Sequence, residues 1–226
     1  MRVLLLAFLL SFQLAADAAE ECLNIGVASG LRSTPAISHI TEALFARAKS
    51  CAVIVALPQN RLNQIETQDT LDGEALRVAS YLDQRPQLML VPTPITSFSG
   101  NLYWPSGQAE PSGPNVTIGI LGGQIWPKQA VLARRSEFFE VSSYDEMLAL
   151  TKSGRLQGFM MAAEAFNHFK SVDPDLLRYG QTKVAQQDLY LVVNKRHAKL
   201  VPQLDRGVKE LLGNGYINQQ LVQSQQ

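Results

Sequence analysis

Short apolar runs alternate with stretches of helical spacing along most of the chain. Leu23–Ala28, which is apolar apart from Asn24 and Gly26, and Ala52–Leu57, which is apolar throughout, predict buried strands. The segment 34–49 between them opens with Thr34-Pro35, a hydroxyl cap followed by a proline, and continues with apolar residues at helical spacing. A strand, a helix and a strand at this spacing predict a βαβ unit with a right-handed crossover.

The same signals continue to the C-terminus. Further strands are predicted at 88–91, 95–98, 116–121, 138–141, 156–161 and 189–193. Further helices are predicted at 61–68, 73–85, 126–133, 147–152, 164–170, 200–212 and 217–223. Asp72 is the expected N-cap of the helix that follows it, and Ser143 with Glu146 fits a capping box. The chain therefore predicts an α/β protein with two blocks of alternating strands and helices.

The first 18 residues match a secretory signal peptide. Arg2 supplies a positive charge, residues 3–10 are apolar, and Ala16-Asp17-Ala18 places small residues where a signal peptidase cleaves. The apolar run is too short to span a bilayer, which needs about 20 residues, and no later segment approaches that length. The alternative is a buried N-terminal helix. We predict export of the chain without a membrane span.

Composition narrows the class of protein. The chain has 226 residues, with 20 Lys+Arg and 20 Asp+Glu, so its formal net charge is zero. A neutral chain argues against nucleic-acid binding, which normally needs a basic surplus. The length allows one large domain or two lobes of about 100 residues each.

The two cysteines, Cys22 and Cys51, each directly precede a predicted strand. If those strands are parallel neighbours, their first residues lie about 4.8 Å apart, which is close to disulfide reach. Export to an oxidising compartment favours the bridge, and two free buried thiols are the alternative. Two cysteines without a partnering histidine pair do not predict a zinc site.

Several segments in fixed order resemble one known family. They are Asp72-Gly73, Val91–Ile95, Ser142–Leu150 followed by Lys152–Gly158, and Tyr190–Val193. In this order they resemble the amino-acid type of periplasmic solute-binding proteins, the extracellular receptors of ABC transporters. The resemblance covers nearly all of the chain after the signal peptide.

The resemblance implies a type II periplasmic-binding-protein fold, in which each of two lobes is a small, mostly parallel sheet flanked by helices. It divides the chain into a signal peptide (1–18), a discontinuous first lobe (19–96 plus 190–226), a hinge and connection (97–114) and a second lobe (115–189). Ligand binds between the lobes, which close about the hinge.

Some positions depart from the family pattern. Members usually carry an Arg that clamps the ligand carboxylate just before the stretch that corresponds to Leu90–Ile95, and none stands there. Gln157 replaces the family's Asp after Gly-Arg. Leu57–Arg61 and Asp72–Arg77 resemble a divergent Gram-negative subgroup with L-P-x-x-R and D-G-E-x-x-R segments. These positions therefore do not predict a standard amino-acid ligand.

The resemblance and the predicted strand ends together imply a set of ligand-binding residues. They are Ser29, Gly30, Arg61, Asp72, Arg77, Thr93, Trp104, Gly122, Gly123, Gln124 and Glu164. Arg61 could clamp a carboxylate, and Gly122-Gly123 could bring one to a helix N-terminus.

Most of these residues also have a structural interpretation. Arg61 could be solvated, Arg77 could pair with Glu74 three residues earlier on a helix, and Asp72 could be only an N-cap. Trp104 could pack between the lobes, and Glu164 suits the first turn of a helix.

The predicted function is capture of a small, polar, carboxylate-bearing ligand in the periplasm for an ABC permease or a membrane sensor. No cofactor, metal or nucleic-acid partner is expected, and the protein is expected to be a monomer. A sensor without a transport role is the first alternative. An enzyme on the same scaffold is the second, but no nucleophile, base and acid stand in a recognisable motif.

Overall fold

The structure is a computed structural model that describes residues 22–29, 34–65 and 70–224. The predicted signal peptide (1–18) and the predicted ligand-binding residue Gly30 lie outside the described residues. Within the described ranges, no helix combines the length and the apolar character needed to cross a membrane.

The described elements alternate as the sequence predicts. The strands are β1 Leu23–Ala28, β2 Ala52–Leu57, β3 Gly73–Arg77, β4 Leu88–Leu90, β5 Thr96–Trp104, β6 Thr117–Leu121, β7 Glu137–Val141, β8 Gly158–Ala162 and β9 Gly180–Asn194. The α-helices are α1 Thr34–Arg47, α2 Gln59–Ile65, α3 Ile125–Ala133, α4 Tyr144–Lys152, α5 Ala163–Val172, α6 Val201–Gly213 and α7 Tyr216–Gln223. Short 3₁₀ helices span Ala79–Gln84, Pro174–Arg178 and Lys195–Leu200.

The strands follow one path, β2-β1-β3-β9-β5-β8-β6-β7, with β4 also paired to β9. The long strand β9 belongs to both halves of this path. Its residues 180–189 pair with β5, and its residues 190–194 pair with β3 and β4. We call β1 to β4 with the end of β9 the first-lobe sheet, and β5 to β8 with the start of β9 the second-lobe sheet.

Each lobe sheet has its own apolar core. In the first lobe, α1, α6 and α7 cover the sheet, and Ile25, Leu44, Val193 and Leu211 are fully buried among them. In the second lobe, one core packs under α4 and α5 and another under α3. The burial of apolar side chains from both helices and strands is the main force that stabilises each lobe.

The disulfide prediction is confirmed. Strands β1 and β2 are parallel, and Leu23 pairs with Ala52. This register brings Cys22 and Cys51 to a Cα–Cα distance of 4.8 Å, and their sulfurs are bonded. The alternative of two free thiols is wrong.

The helix predicted after Asp72 is wrong, because Gly73–Arg77 is strand β3. Glu74 and Gly73 pair with β1 on one side and with β9 on the other. A Cβ at Gly73 would lie 2.4 Å from the carbonyl oxygen of Val192, so β9 approaches this backbone closely. The apolar spacing that predicted a helix comes from strand β3 followed by the 3₁₀ helix Ala79–Gln84. Pairing of β3 with its neighbouring strands overrides the local helix propensity of this segment.

Strands β5 and β9 are longer than predicted. β5 runs to Trp104, so this residue lies on a strand and not in a proline-rich connection. β9 begins at Gly180, nine residues before the predicted start at 189. The two strands stabilise each other through antiparallel pairing from Thr96 to Trp104, with one register shift between Gly100 and Asn101, which the sequence of either strand alone does not reveal.

Candidate functional site

The carboxyl ends of the parallel strands of both lobes meet at an interlobe cleft. In the first lobe, the Ser29 N–H, just after β1, donates to the carbonyl of Leu57 at the end of β2 (2.8 Å). In the second lobe, the Gly122 N–H, just after β6, donates to the carbonyl of Val141 at the end of β7 (3.0 Å). In open α/β sheets, ligands bind at such carboxyl ends.

Helix α2 contacts the turn between β6 and α3 and so closes the cleft on one side. The Asn63 Nδ2 donates to the carbonyl oxygen of Gly123 at 3.1 Å. Gly123 adopts φ +84°, a left-handed conformation that favours glycine. A Cβ there would lie 2.2 Å from the Asn60 Oδ1, so a larger residue would displace the Asn60 side chain.

Arg61 lies on α2 beside this contact and is exposed. In the described parts of the chain, no carboxylate forms an ion pair with it. Its neighbour Leu62 is buried against the first-lobe sheet, since a Cβ at Gly26 of β1 would lie 2.8 Å from the Leu62 Cδ2. Leu62 thus fixes α2, and Arg61 is an exposed cation on the same helix.

Arg77 takes a different position from the predicted one. It is buried at the end of β3 and forms an ion pair with Glu74, which is fully buried. The pair does not lie on a helix, as the i,i+3 interpretation assumed. A bulge in β3, with Leu76 at φ +60°, brings the two side chains together.

Two further residues, the buried Tyr81 and the partly exposed Arg85, extend this pair to a group that we call the Glu74 cluster (Glu74, Arg77, Tyr81 and Arg85). The Tyr81 hydroxyl donates to the second Glu74 carboxylate oxygen at 2.9 Å. The guanidinium carbons of Arg77 and Arg85 lie 4.4 and 3.8 Å from the centre of the Tyr81 ring, which are cation–π distances. The charge of Arg77 is therefore paired with Glu74 inside the protein.

Asp72 lies at the amino end of β3, away from the carboxyl ends that form the cleft. It accepts hydrogen bonds from the Asn24 N–H (2.8 Å), the Arg196 Nη2 (2.8 Å) and the His197 Nε2 (2.6 Å). Burial raises the pKa of this carboxyl, but these hydrogen bonds outweigh burial, and the pKa is lowered. Asp72 joins β1, β3 and the segment after β9, and its predicted N-cap and cleft positions are wrong.

Thr93 and Trp104 also have partners outside the cleft. The Thr93 N–H donates to the Asp205 carboxylate of α6 at 2.8 Å. Trp104 ends β5, which runs antiparallel to β8, so it lies at the opposite end of the second lobe from the cleft. Its Nε1 donates to the carbonyl of Gln108 at 3.1 Å.

Gln124 and Glu164 follow strand ends of the second lobe, as predicted. The Gln124 Nε2 donates to the Tyr144 hydroxyl at 3.3 Å, and burial raises the pKa of that tyrosine. Glu164 is exposed in the first turn of α5. Burial, with a smaller contribution from the Glu164 charge, raises the pKa of Tyr103 to about 12.

The structure therefore brings α2, the helix that carries Arg61, against Gly122 and Gly123, and places Gln124, Ser29 and Glu164 next to strand ends of the two lobes. The sequence analysis missed Asn60 and Asn63, which meet Gly123. Their spacing of three residues on a short helix was a signal that they share a face. What that face contacts depends on how the lobes are arranged.

Comparisons with known proteins support the fold. No protein-family model matches the chain, and no curated protein sequence matches it. Among solved structures, the GluR0 ligand-binding core in complex with L-glutamate is similar, at 12% identity and a TM-score of 0.75, over 92% of this chain and 100% of that one.

Two further solved structures, from named bacteria, agree. A probable amino-acid ABC transporter extracellular-binding protein, ytmK of Bacillus subtilis, has 12% identity and a TM-score of 0.68, covering 88% and 95% of the two chains. An arginine transport-system periplasmic binding protein from Legionella pneumophila has 11% identity and a TM-score of 0.68, covering 90% and 99%. The chain has the two-lobed type II periplasmic-binding-protein fold, and the predicted fold class is confirmed.

Proposed function

We propose that the chain is a secreted solute-binding protein that captures a small carboxylate-bearing ligand between its two lobes. The observation that carries the proposal is the meeting of α2 with Gly122-Gly123 across the cleft, where the carboxyl ends of both lobe sheets face each other. The similar GluR0 core was solved with L-glutamate, a small dicarboxylate. We propose lobe boundaries at 19–96 plus 190–226 and at 115–189, with 97–114 as the connection.

Two features favour an anionic group on the ligand. Arg61 is an exposed cation at the cleft edge, and a guanidinium binds a carboxylate through two parallel hydrogen bonds. Helix α3 begins at Ile125, directly after the Gly122-Gly123 turn, and a helix N-terminus carries partial positive charge. Arg77 is not part of this proposal, because Glu74 already balances its charge.

We propose a periplasmic location and delivery of the ligand to an ABC-type permease. The disulfide supports an oxidising compartment, and residues 1–18 supply the export signal. A membrane sensor is the alternative partner. Where a permease gene lies beside the gene for this chain, deletion of the permease gene separates the transport role from the sensor role. Only a transport role makes uptake of the ligand depend on that permease. We propose that the protein binds its ligand without catalysing a reaction and that it acts as a monomer.

Replacing Arg61 by Ala is expected to weaken ligand binding. A charge-assisted contact contributes about 1.5–3 kcal/mol, which corresponds to a roughly 10- to 150-fold higher Kd. A thermal-shift screen of amino acids and small carboxylates identifies the ligand, and calorimetry then measures Kd for both proteins. The melting temperature of the ligand-free protein should hardly change, since Arg61 is exposed.

The matched control is Arg206→Ala, which removes an exposed arginine from α6, far from the cleft. This variant should bind as the wild type does. Equal affinities for the wild type and Arg61→Ala would show that Arg61 is a solvated surface residue and would remove the main support for a carboxylate.

A further inference from the structure

We propose that a direct latch between the lobes holds the cleft closed before any ligand binds. The interlobe latch consists of Asn60 and Asn63 on α2 and of Gly122 and Gly123 after β6. This proposal concerns the ligand-free chain, so it does not depend on the identity of a ligand.

The polar half of the latch is an oriented hydrogen bond. The Asn63 Nδ2 donates to the Gly123 carbonyl at 3.1 Å in a partly buried position. The Gln59 Nε2 donates to the Asn63 Oδ1 at 3.2 Å. Because the oxygen of the Asn63 amide already accepts from Gln59, its nitrogen is directed toward the second lobe.

The steric half of the latch is the fit of Asn60 over two glycines. A Cβ at Gly123 would lie 2.2 Å from the Asn60 Oδ1 and 3.1 Å from its Cγ. A Cβ at Gly122 would lie 3.3 Å from the Asn60 Nδ2. Asn60 therefore packs directly over the turn, and a side chain at Gly123 would require Asn60 to move.

The first-lobe side of the latch is rigid. Leu62 lies between Asn60 and Asn63 in sequence and is 1% exposed. The N–H groups of Arg61 and Leu62 donate to the Pro58 carbonyl at 2.8 and 3.0 Å. Helix α2 is thus fixed to the first lobe at the end of β2. The hydrogen bond from its Asn63 side chain to Gly123 therefore restrains the second lobe relative to the first.

A second contact lies on the other side of the same turn. Ile125, at the start of α3, packs against the buried first-lobe residues Tyr81, Leu88 and Val192. Polar and apolar contacts between the lobes thus flank Gln124. Both contacts stabilise the closed form and so raise the fraction of the free protein that is closed. A ligand that binds the closed form then binds with higher apparent affinity.

Small-angle X-ray scattering of the ligand-free protein tests the latch. The wild-type curve should fit the closed structure. Gly123→Ala should give a larger radius of gyration, because its Cβ displaces the Asn60 side chain from the turn and so weakens the contact between α2 and the second lobe. Asn63→Ala, which loses a neutral hydrogen bond, should lower the closed-to-open ratio by about 2- to 10-fold.

Two further variants separate the latch from local effects. Gly154 has φ +76° with nothing within 4 Å of an added Cβ, so Gly154→Ala carries the same backbone strain without the clash and should leave the scattering unchanged. Adding Asn60→Ala to Gly123→Ala removes the clashing atoms and should restore a compact curve. Superposable curves for wild type, Gly123→Ala and Asn63→Ala would overturn the proposal, as would a failure of Asn60→Ala to restore compaction.

Discussion

Replacing Glu74 by Ala is expected to lower the free energy of unfolding by about 3–5 kcal/mol, because it leaves a buried guanidinium without its carboxylate. Glu74 is 0% and Arg77 7% exposed. The Tyr81 hydroxyl also loses its acceptor. Chemical denaturation at neutral pH measures the loss as a lower midpoint at an unchanged slope.

The exposed pair Arg47–Glu210 provides the matched control. Its side chains are 34% and 62% exposed, and such surface pairs contribute about 0–1 kcal/mol. Glu210→Ala should therefore change stability far less than Glu74→Ala. The double variant Glu74→Leu/Arg77→Met, which removes both charges, should recover part of the loss. A Glu74→Ala protein as stable as Glu210→Ala would contradict the buried ion pair.

Removing the disulfide is expected to lower stability by roughly 3–4 kcal/mol, according to the loop-entropy relation. Cys22 and Cys51 are 29 residues apart in sequence, and the bridge restricts the unfolded chain. It also fastens β2, which ends the sheet path. The variant Cys22→Ala/Cys51→Ala should unfold at a clearly lower urea concentration than the oxidised wild type.

Reduction of the wild-type protein supplies an independent comparison. Reduced wild type and the double variant should unfold at nearly the same midpoint, since both lack the loop constraint. Thiol titration of the oxidised protein under denaturing conditions should find no free thiol. Two free thiols, or equal midpoints with and without the bridge, would be incompatible with this expectation.

The first lobe shows which elements the sequence reveals. Leu23–Ala28 is apolar apart from Asn24 and Gly26, and Ala52–Leu57 is apolar throughout. The two segments lie on either side of an amphipathic helix, and their parallel pairing follows from that order. β3 was not recognisable, because Glu74 and Arg77 are charged residues in buried positions. Their mutual pairing depends on a bulge at Leu76, which no local pattern indicates.

The candidate site also contains residues that the sequence reveals and residues that it does not. Gly122-Gly123 directly follows β6 and Arg61 lies on the helix after β2, and because strand ends form clefts in α/β folds, the sequence indicates this region. Contact of these residues with a ligand stays a prediction. The sequence analysis wrongly placed Asp72 and Trp104 at the cleft. The end of the lobe that a residue occupies depends on whether the residue begins or ends its strand. Asn63 was missed because its partner Gly123 lies 60 residues away in the other lobe.

Amide hydrogen exchange with and without saturating ligand tests the central claim, ligand capture between the lobes, most directly. The ligand should slow exchange in residues 58–65 of the first lobe and in 121–127 of the second, because a ligand bound to both lobes stabilises the closed form against the transient opening that the free protein still undergoes. The α6 residues 203–210, remote from the cleft, should exchange as before. Protection in only one lobe, or in neither, by a ligand that calorimetry confirms to bind would contradict an interlobe binding site.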